Sequence, residues 1–133
     1  MTPDERRQFL KAHRLAVLGV ERGQKPPHLS PVYYVLDGDD LLISVTKTRA
    51  KTKLIRRSGR LSLCVLHEEF PFPYLRIEGL GTFEDDGAVD LLMRMAEKMT
   101  GNPMSEVMRP NFEERARTEQ RVVLRLTPES YYP

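Results

Sequence analysis

A chain of 133 residues is long enough for one domain with a real core and too short for two. Its 40% apolar and 30% charged content describes a globular chain and excludes a disordered one, and its single cysteine excludes an intrachain disulfide scaffold. The 21 Lys and Arg against 19 Asp and Glu give a net charge of +2, a near balance that hides an uneven distribution.

The first residues, MTPDERRQFLKAHR, are too charged for a signal peptide, and no apolar run reaches the length of a membrane span. The expected setting is the cytoplasm. Thr2-Pro3-Asp4-Glu5 reads as a helix start, with a cap, a proline at the first position and acids in the first turn. Leu15–Val20 follows as a short buried strand, Glu21–Pro27 as a polar turn, and His28–Leu36 as a second strand rich in β-formers. Pro31 inside that strand marks an edge, a bulge, or a place where the backbone meets a ligand in place of a neighbouring strand. Asp37-Gly38-Asp39-Asp40 turns the chain into a third strand, Leu41–Val45.

Thr46–Arg60, TKTRAKTKLIRRSGR, comes next and is the most distinctive stretch. It carries seven cations (Lys47, Arg49, Lys51, Lys53, Arg56, Arg57 and Arg60), and no acid falls between Leu41 and His67. The rest of the chain therefore holds 14 basic against 19 acidic residues. A helix starting near Arg49 aims free backbone N–H groups, a positive dipole end and several cations at one point. That point calls for an anion.

Ser58-Gly59 ends this helix, and Leu61–His67 returns as a strand in which Cys64 reads as a buried, inert thiol. Phe70-Pro71-Phe72-Pro73 is a proline-broken loop. Tyr74–Glu84 alternates as a long strand, with Gly79 and Gly81 marking a bend of the kind that closes a barrel. Val89, Leu92, Met93 and Ala96 define an amphipathic helix over Ala88–Thr100, whose methionines read as core filler. A partly helical Met104–Glu119, a closing strand Arg121–Leu126 and a short tail Glu129–Pro133 complete the chain. Six mostly sequential strands with inserted helices and no βαβ rhythm predict a mainly β, α+β fold: a six-stranded antiparallel barrel with flanking helices, in one domain spanning 1–133.

The order of these elements, with P-H-L-S-P-V-Y-Y, L-L-I-S-V-T and T-R-A-K-T-K-L-I-R-R-S-G-R-L-S-L-C-V, resembles the split β-barrel superfamily typified by pyridoxamine 5′-phosphate oxidases. It resembles more closely the actinobacterial branch that uses the deazaflavin coenzyme F420. The likeness runs from about Phe9 to Leu126 and is most specific over Val45–Val65. Two departures stand out: Ser58-Gly59 where Asp-Pro is usual, and Tyr33-Tyr34 where many relatives carry a pair with Trp.

The resemblance implies that Thr46, Arg49 and Lys51 hold the cofactor's phosphate, with Val45 and the Ala50 and Thr52 backbone nearby. It implies that the strand around His28, Ser30, Pro31 and Val32 carries the ring, and that Lys47 and Lys53 meet further negative charge such as the F420 tail. It also implies a homodimer with two interface sites, each reached by Tyr74 and Arg76 of the other subunit. Arg offers a planar fork to phosphate, Lys a point charge and Thr a hydroxyl donor.

The expected activity is F420-dependent hydride transfer to a small conjugated acceptor, with FMN as the alternative cofactor and a non-catalytic cofactor carrier as the alternative role. No general acid, metal-ligand spacing or nucleophile arrangement is legible in the sequence. In such a site the cofactor carries the chemistry and the protein orients it. Nucleic-acid binding is disfavoured, because the aromatics are not interleaved with the cations as stacking platforms.

Overall fold

Period-two alternation of apolar side chains organises the computed structural model, which describes Met1–Pro133. The elements are α1 (Pro3–Ala12), β1 (Leu15–Arg22), β2 (Lys25–Asp37), β3 (Asp40–Thr46), α2 (Ala50–Ser58), β4 (Arg60–Leu66), β5 (Tyr74–Glu84), α3 (Ala88–Thr100), a 3₁₀ turn (Glu106–Met108), α4 (Arg109–Thr118) and β6 (Arg121–Tyr132). All strand pairs are antiparallel, and the six close into a barrel in the order β1-β2-β3-β6-β5-β4. This is the expected six-stranded antiparallel barrel with flanking helices. No helix is long and apolar enough to cross a membrane.

The interior is filled by every second residue of each strand, among them Leu18, Val32, Tyr34, Ile43, Val45, Leu63, Ile77 and Leu124. Tyr34 is fully buried, and its hydroxyl donates to the Leu10 carbonyl at 2.8 Å, so the core's one polar tip is satisfied by α1. Helix α1 begins as the sequence predicts, with Thr2 as the cap and Pro3 at the first position, and Thr2 and Glu5 form a reciprocal capping box across that turn. Helix α2 plugs one end of the barrel with buried Ile55, and Gly59 stops it in the left-handed conformation, its N–H donating to the Ile55 carbonyl at 2.7 Å.

Four details differ from the sequence reading. The polar turn at 21–27 shrinks to Gly23-Gln24, because Arg22 pairs with Lys25 and Pro26-Pro27 already belong to β2. The tail Glu129–Pro133 is not loose, since β6 runs on to Tyr132 against Arg76 of β5. Pro128 is tolerated there because β6 bulges beside it: Glu78 and Gly79 pair with Ser130 and Pro128, so Glu129 is the extra residue, and the bulge expected at the β5 glycines falls on the strand opposite them. Cys64 is half-buried on the barrel's outer side, because its neighbours Leu63 and Val65 take the inward positions. The buried stripe of α3 is Ala88, Leu91, Leu92 and Met93, so Val89 and Ala96 sit at its margins.

One seam of the barrel is open. Strand β2 pairs with β1 from Tyr33 to His28, yet it pairs with β3 only from Tyr34↔Ile43 to Asp37↔Asp40. Beyond that point Ser44, Val45 and Thr46 of β3 pair with β6 alone. Helix α3 lies over the seam, anchored by Leu91 against Val35, Leu42 and Val123. Helix α4 backs it through Leu92, Ala88 and Ala116.

Candidate functional site

The divergence of β2 and β3 leaves two strand edges facing a cleft. The Tyr34 N–H donates to the Arg14 carbonyl at 3.1 Å, on the β1 side. Strand alternation therefore turns the nitrogens of Leu29, Pro31 and Tyr33 toward the open edge. Proline has no N–H to leave unpaired, which explains its tolerance here. The cleft has a volume of about 540 Å³, the size range of small-ligand and cofactor pockets. Its floor is formed by Ser30–Tyr33 and Ser44–Thr46, and its roof by Leu92, Met95, Ala96 and Met99 of α3. Met95 and Met99 are thus cleft residues, while Met93 is core as expected.

One end of the cleft is cationic. Arg49 caps α2, with extended backbone and no side-chain hydrogen bond of its own to the helix, and no acid lies in the first turn. Thr52 and Lys53 give their amides to the Arg49 carbonyl at 3.1 and 3.3 Å, so Ala50 and Lys51 are left as the helix's first outward amides. Arg49, Lys51, Arg115 and Arg121 line the cleft, and no carboxylate does. The Lys51 ammonium is held below its usual range by burial, then by the neighbouring Arg49 and Arg121 cations. Arg49 and Lys51 have no carboxylate partner, and Arg115 and Arg121 share the single carboxylate of Glu119, so this end of the cleft keeps a net positive charge suited to an anion.

The polar floor is equally unspent. The hydroxyl oxygens of Ser30, Ser44 and Thr46 are buried and have no hydrogen-bond partner. Buried orphans of this kind are uncommon in folded chains. Three at one seam fit a ligand that brings polar atoms with it.

The residues singled out from sequence divide into three groups. Ser30, Pro31, Val32, Val45, Thr46, Arg49 and Lys51 come together at the cleft, with Ala50 beside them at the head of α2. Thr52 belongs to the same corner but is spent inside it: its buried side chain donates to the Thr46 carbonyl at 2.7 Å. His28 and Lys47 do not reach the cleft lining. His28 pairs with Val20 further along β2 and has an unpartnered Nδ1. Lys47 lines a neighbouring groove and stands 3.9 Å from Asp85. The basic segment is therefore not free of acids in space, because the turn after β5 brings one back. Arg56 stacks on the Phe83 ring at 4.2 Å, and Arg60 pairs with Glu129 at 3.1 Å.

Tyr74 and Arg76 sit on the outer side of β5, away from this chain's own cleft. They belong to a bare sheet face. Leu15 lies beside Tyr33, Leu66 beside Tyr74, and one row runs Pro31, Val17, Cys64, Arg76, Tyr132 across five strands. Leu15, Leu66 and Tyr74 are 51%, 55% and 46% exposed there. Pro31 and Tyr33 share this face with the cleft.

Arg121 escaped the sequence reading because it lies far along the chain from the basic segment. Its Cα is the register partner of Thr46, so the closing strand delivers it to the cleft. The signal existed only in strand order, which one sequence does not state.

The family model for pyridoxamine 5′-phosphate oxidase matches residues 2–133. Among solved structures, the chain is similar to a conserved hypothetical protein from Mycobacterium tuberculosis, with a TM-score of 0.85, 19% identity, and 98% of this chain and 82% of that one covered. It is similar to an F420 reductase, with a TM-score of 0.75, 19% identity and 94% of each chain covered. The heme storage protein HutZ from Vibrio cholerae matches with a TM-score of 0.72 and 11% identity, over 98% of this chain and 92% of that one. At such identities these likenesses establish the fold. No curated protein matches the chain by sequence.

Proposed function

The chain belongs to the pyridoxamine 5′-phosphate oxidase family, and from that membership we propose that it is an F420-dependent oxidoreductase, serving a small conjugated organic acceptor. The observation that carries the reading is the cleft at the open seam, where four cations and no carboxylate face three unsatisfied hydroxyls. The residues fit such a cofactor. Arg49, Lys51 and the first amides of α2 would hold its phosphate, with the Thr46 hydroxyl beside them. The open edge at Ser30–Tyr33 and the Ser44 hydroxyl would meet the polar edge of its ring. When bound, a deazaflavin supplies the hydride.

The protein's own part is positioning and shielding. Leu92, Met95, Ala96 and Met99 present an apolar, uncharged wall to the cleft, which keeps water from the reacting region and favours planar apolar acceptors. No carboxyl group lines the cleft, so none serves there as a general acid.

We further propose a symmetric homodimer built on the bare face of β1, β2, β4 and β5, a single cofactor-binding domain, and a cytoplasmic setting. A twofold partner buries Leu15, Leu66 and Tyr74 and brings its own Tyr74 and Arg76 toward the cleft, because Pro31 and Tyr33 lie on both. FMN is the second reading for the cofactor, since it needs only the phosphate clamp. The test is pre-steady-state: reduced F420 mixed with the protein and a panel of conjugated acceptors should regain the oxidised cofactor's visible absorbance. Tight F420 binding without any acceptor-dependent oxidation supports a carrier, and tighter FMN binding supports the second reading.

A further inference from the structure

The α4–β6 corner holds a feature that the basic segment does not explain. Helix α4 ends at Thr118, the Glu119 N–H returns to the Arg115 carbonyl at 2.9 Å, and β6 starts at Arg121. This tight corner puts Arg115 and Arg121 on either side of one carboxylate. Glu119 Oε1 accepts from Arg121 Nε at 2.9 Å and from Arg115 Nε at 3.2 Å. Arg121 also donates through Nη1 to the Ser44 carbonyl at 3.3 Å. A guanidinium has five N–H donors in one plane. Two of those on Arg121 are thereby engaged, and the other three remain for the cleft that both arginines line.

We propose that Arg115 and Arg121, bridged by Glu119, form a second arm of the anion clamp, and that the cleft takes a ligand with two anionic groups in place of a lone monophosphate. The proposal rests on reading the cleft as the site of a phosphate-bearing cofactor. Charge bookkeeping supports it. The lining carries four cations, and Glu119 behind two of them offsets one. A phosphate monoester brings about −1.5 to −2 at neutral pH, which leaves roughly one positive charge unmet. Arg121, opposite Thr46 in register and close enough to depress Lys51, is where the second arm adjoins the first phosphate position. Arg115, half exposed on α4, stands where a second phosphate or a carboxylate further along the ligand would lie. Glu119 is a positioning residue, since it lines no part of the cleft and acts through the two guanidinium planes.

The test uses the full chain with inorganic phosphate, pyrophosphate and tripolyphosphate as probes, read by isothermal titration, with F420 and FMN titrated alongside. The wild type should bind the two polyanions about threefold to tenfold more tightly than phosphate, the scale of one half-exposed charge-assisted contact. Arg115→Ala should erase that preference, weakening pyrophosphate and tripolyphosphate binding by more than it weakens phosphate binding. Glu119→Ala decides its role by sign. If Glu119 only neutralised charge, its removal would strengthen anion binding; as a positioning group, its removal weakens it, and Glu119→Gln, which keeps a bridging oxygen, restores affinity. Equal affinity for phosphate and the polyanions, or an unchanged preference in Arg115→Ala, overturns the second arm. Cofactor binding that persists in that case leaves the proposed function standing. A wild type that binds no probe and no cofactor overturns both.

Discussion

The Thr52 hydroxyl donates to the Thr46 carbonyl at 2.7 Å and joins the end of β3 to the first turn of α2. The Arg49 N–H shares that carbonyl at 3.4 Å, so one oxygen sets the bend on which Arg49 and Lys51 project. Thr52→Val keeps the shape and removes the donor. It should cost about 1 kcal/mol of stability, because the carbonyl retains its weaker partner. Cofactor affinity should fall as well, since the clamp loses its fixed angle. Urea denaturation and cofactor titration of the same variant check both; unchanged values in the two assays contradict this role.

The glycines of β5 predict a graded response. A Cβ on Gly81 would stand 2.6 Å from Leu61 Cδ2 and 2.9 Å from Ile55 Cγ2, both side-chain atoms of the core. A Cβ on Gly79 would stand 2.2 Å from the Thr127 carbonyl oxygen, which is backbone. Gly81→Ala should cost about 1–3 kcal/mol by overpacking, and Gly79→Ala should cost more or fail to fold. Urea midpoints give the order, and a Gly81 variant weaker than the Gly79 one would refute it.

Lys98 gives a pH signature. Its ammonium donates to the Tyr34 and Leu10 carbonyls at 3.2 and 3.4 Å and sits 4.2 Å over the Tyr34 ring, pinning α3 to β2 and α1. Burial, with Arg14 adding to it, pulls its pKa from 10.5 down to about 8. Above about 8 the folded chain sheds a proton that the unfolded chain still holds, so stability rises with pH. Burial also raises the Tyr34 phenol above its ordinary 10, which reverses the trend beyond that pH. Between about 8 and 10 the wild type should gain on the order of 1 kcal/mol over Lys98→Met, after allowance for solvent screening. Parallel stability curves for the two proteins would disprove the assignment.

Much of the fold was legible because local signals agreed. Thr2-Pro3 starts α1, Ser58-Gly59 ends α2, and the register shift lies beside Gly79, where the sequence of β5 loses its apolar alternation. The reading failed where pairing overrode local preference. Pro128 suggested an end, yet a bulge at its neighbour Glu129 lets β6 continue to Tyr132. Part of the candidate site was visible as the run from Val45 to Lys51, since those residues are neighbours in sequence, and Ser30, Pro31 and Val32 were named through the family resemblance. Arg115, Arg121, Met95 and Met99 meet them only through strand order and helix docking. Composition likewise could not reveal that Asp85 folds back toward Lys47.

The bare face of β1, β2, β4 and β5 predicts a dimer. Sedimentation at micromolar concentration should give twice the mass of the chain, and Leu66→Glu should yield monomers with weakened cofactor binding. Leu66 is 55% exposed on one protomer, so the substitution leaves the barrel's own stability within about 0.5 kcal/mol. A wild-type monomer would remove the shared site from the account.

The clamp itself is tested most directly by titrating F420 and FMN into the wild type, Arg49→Ala and Lys51→Ala, with affinity read from fluorescence quenching. Loss of one charge-assisted phosphate contact is worth about 1.5–3 kcal/mol, so each variant should bind cofactor roughly 10- to 150-fold more weakly. The melting temperature without cofactor should hardly move, because these cations repel one another when no anion is present. Wild-type affinity in both variants would contradict the assignment of the cleft.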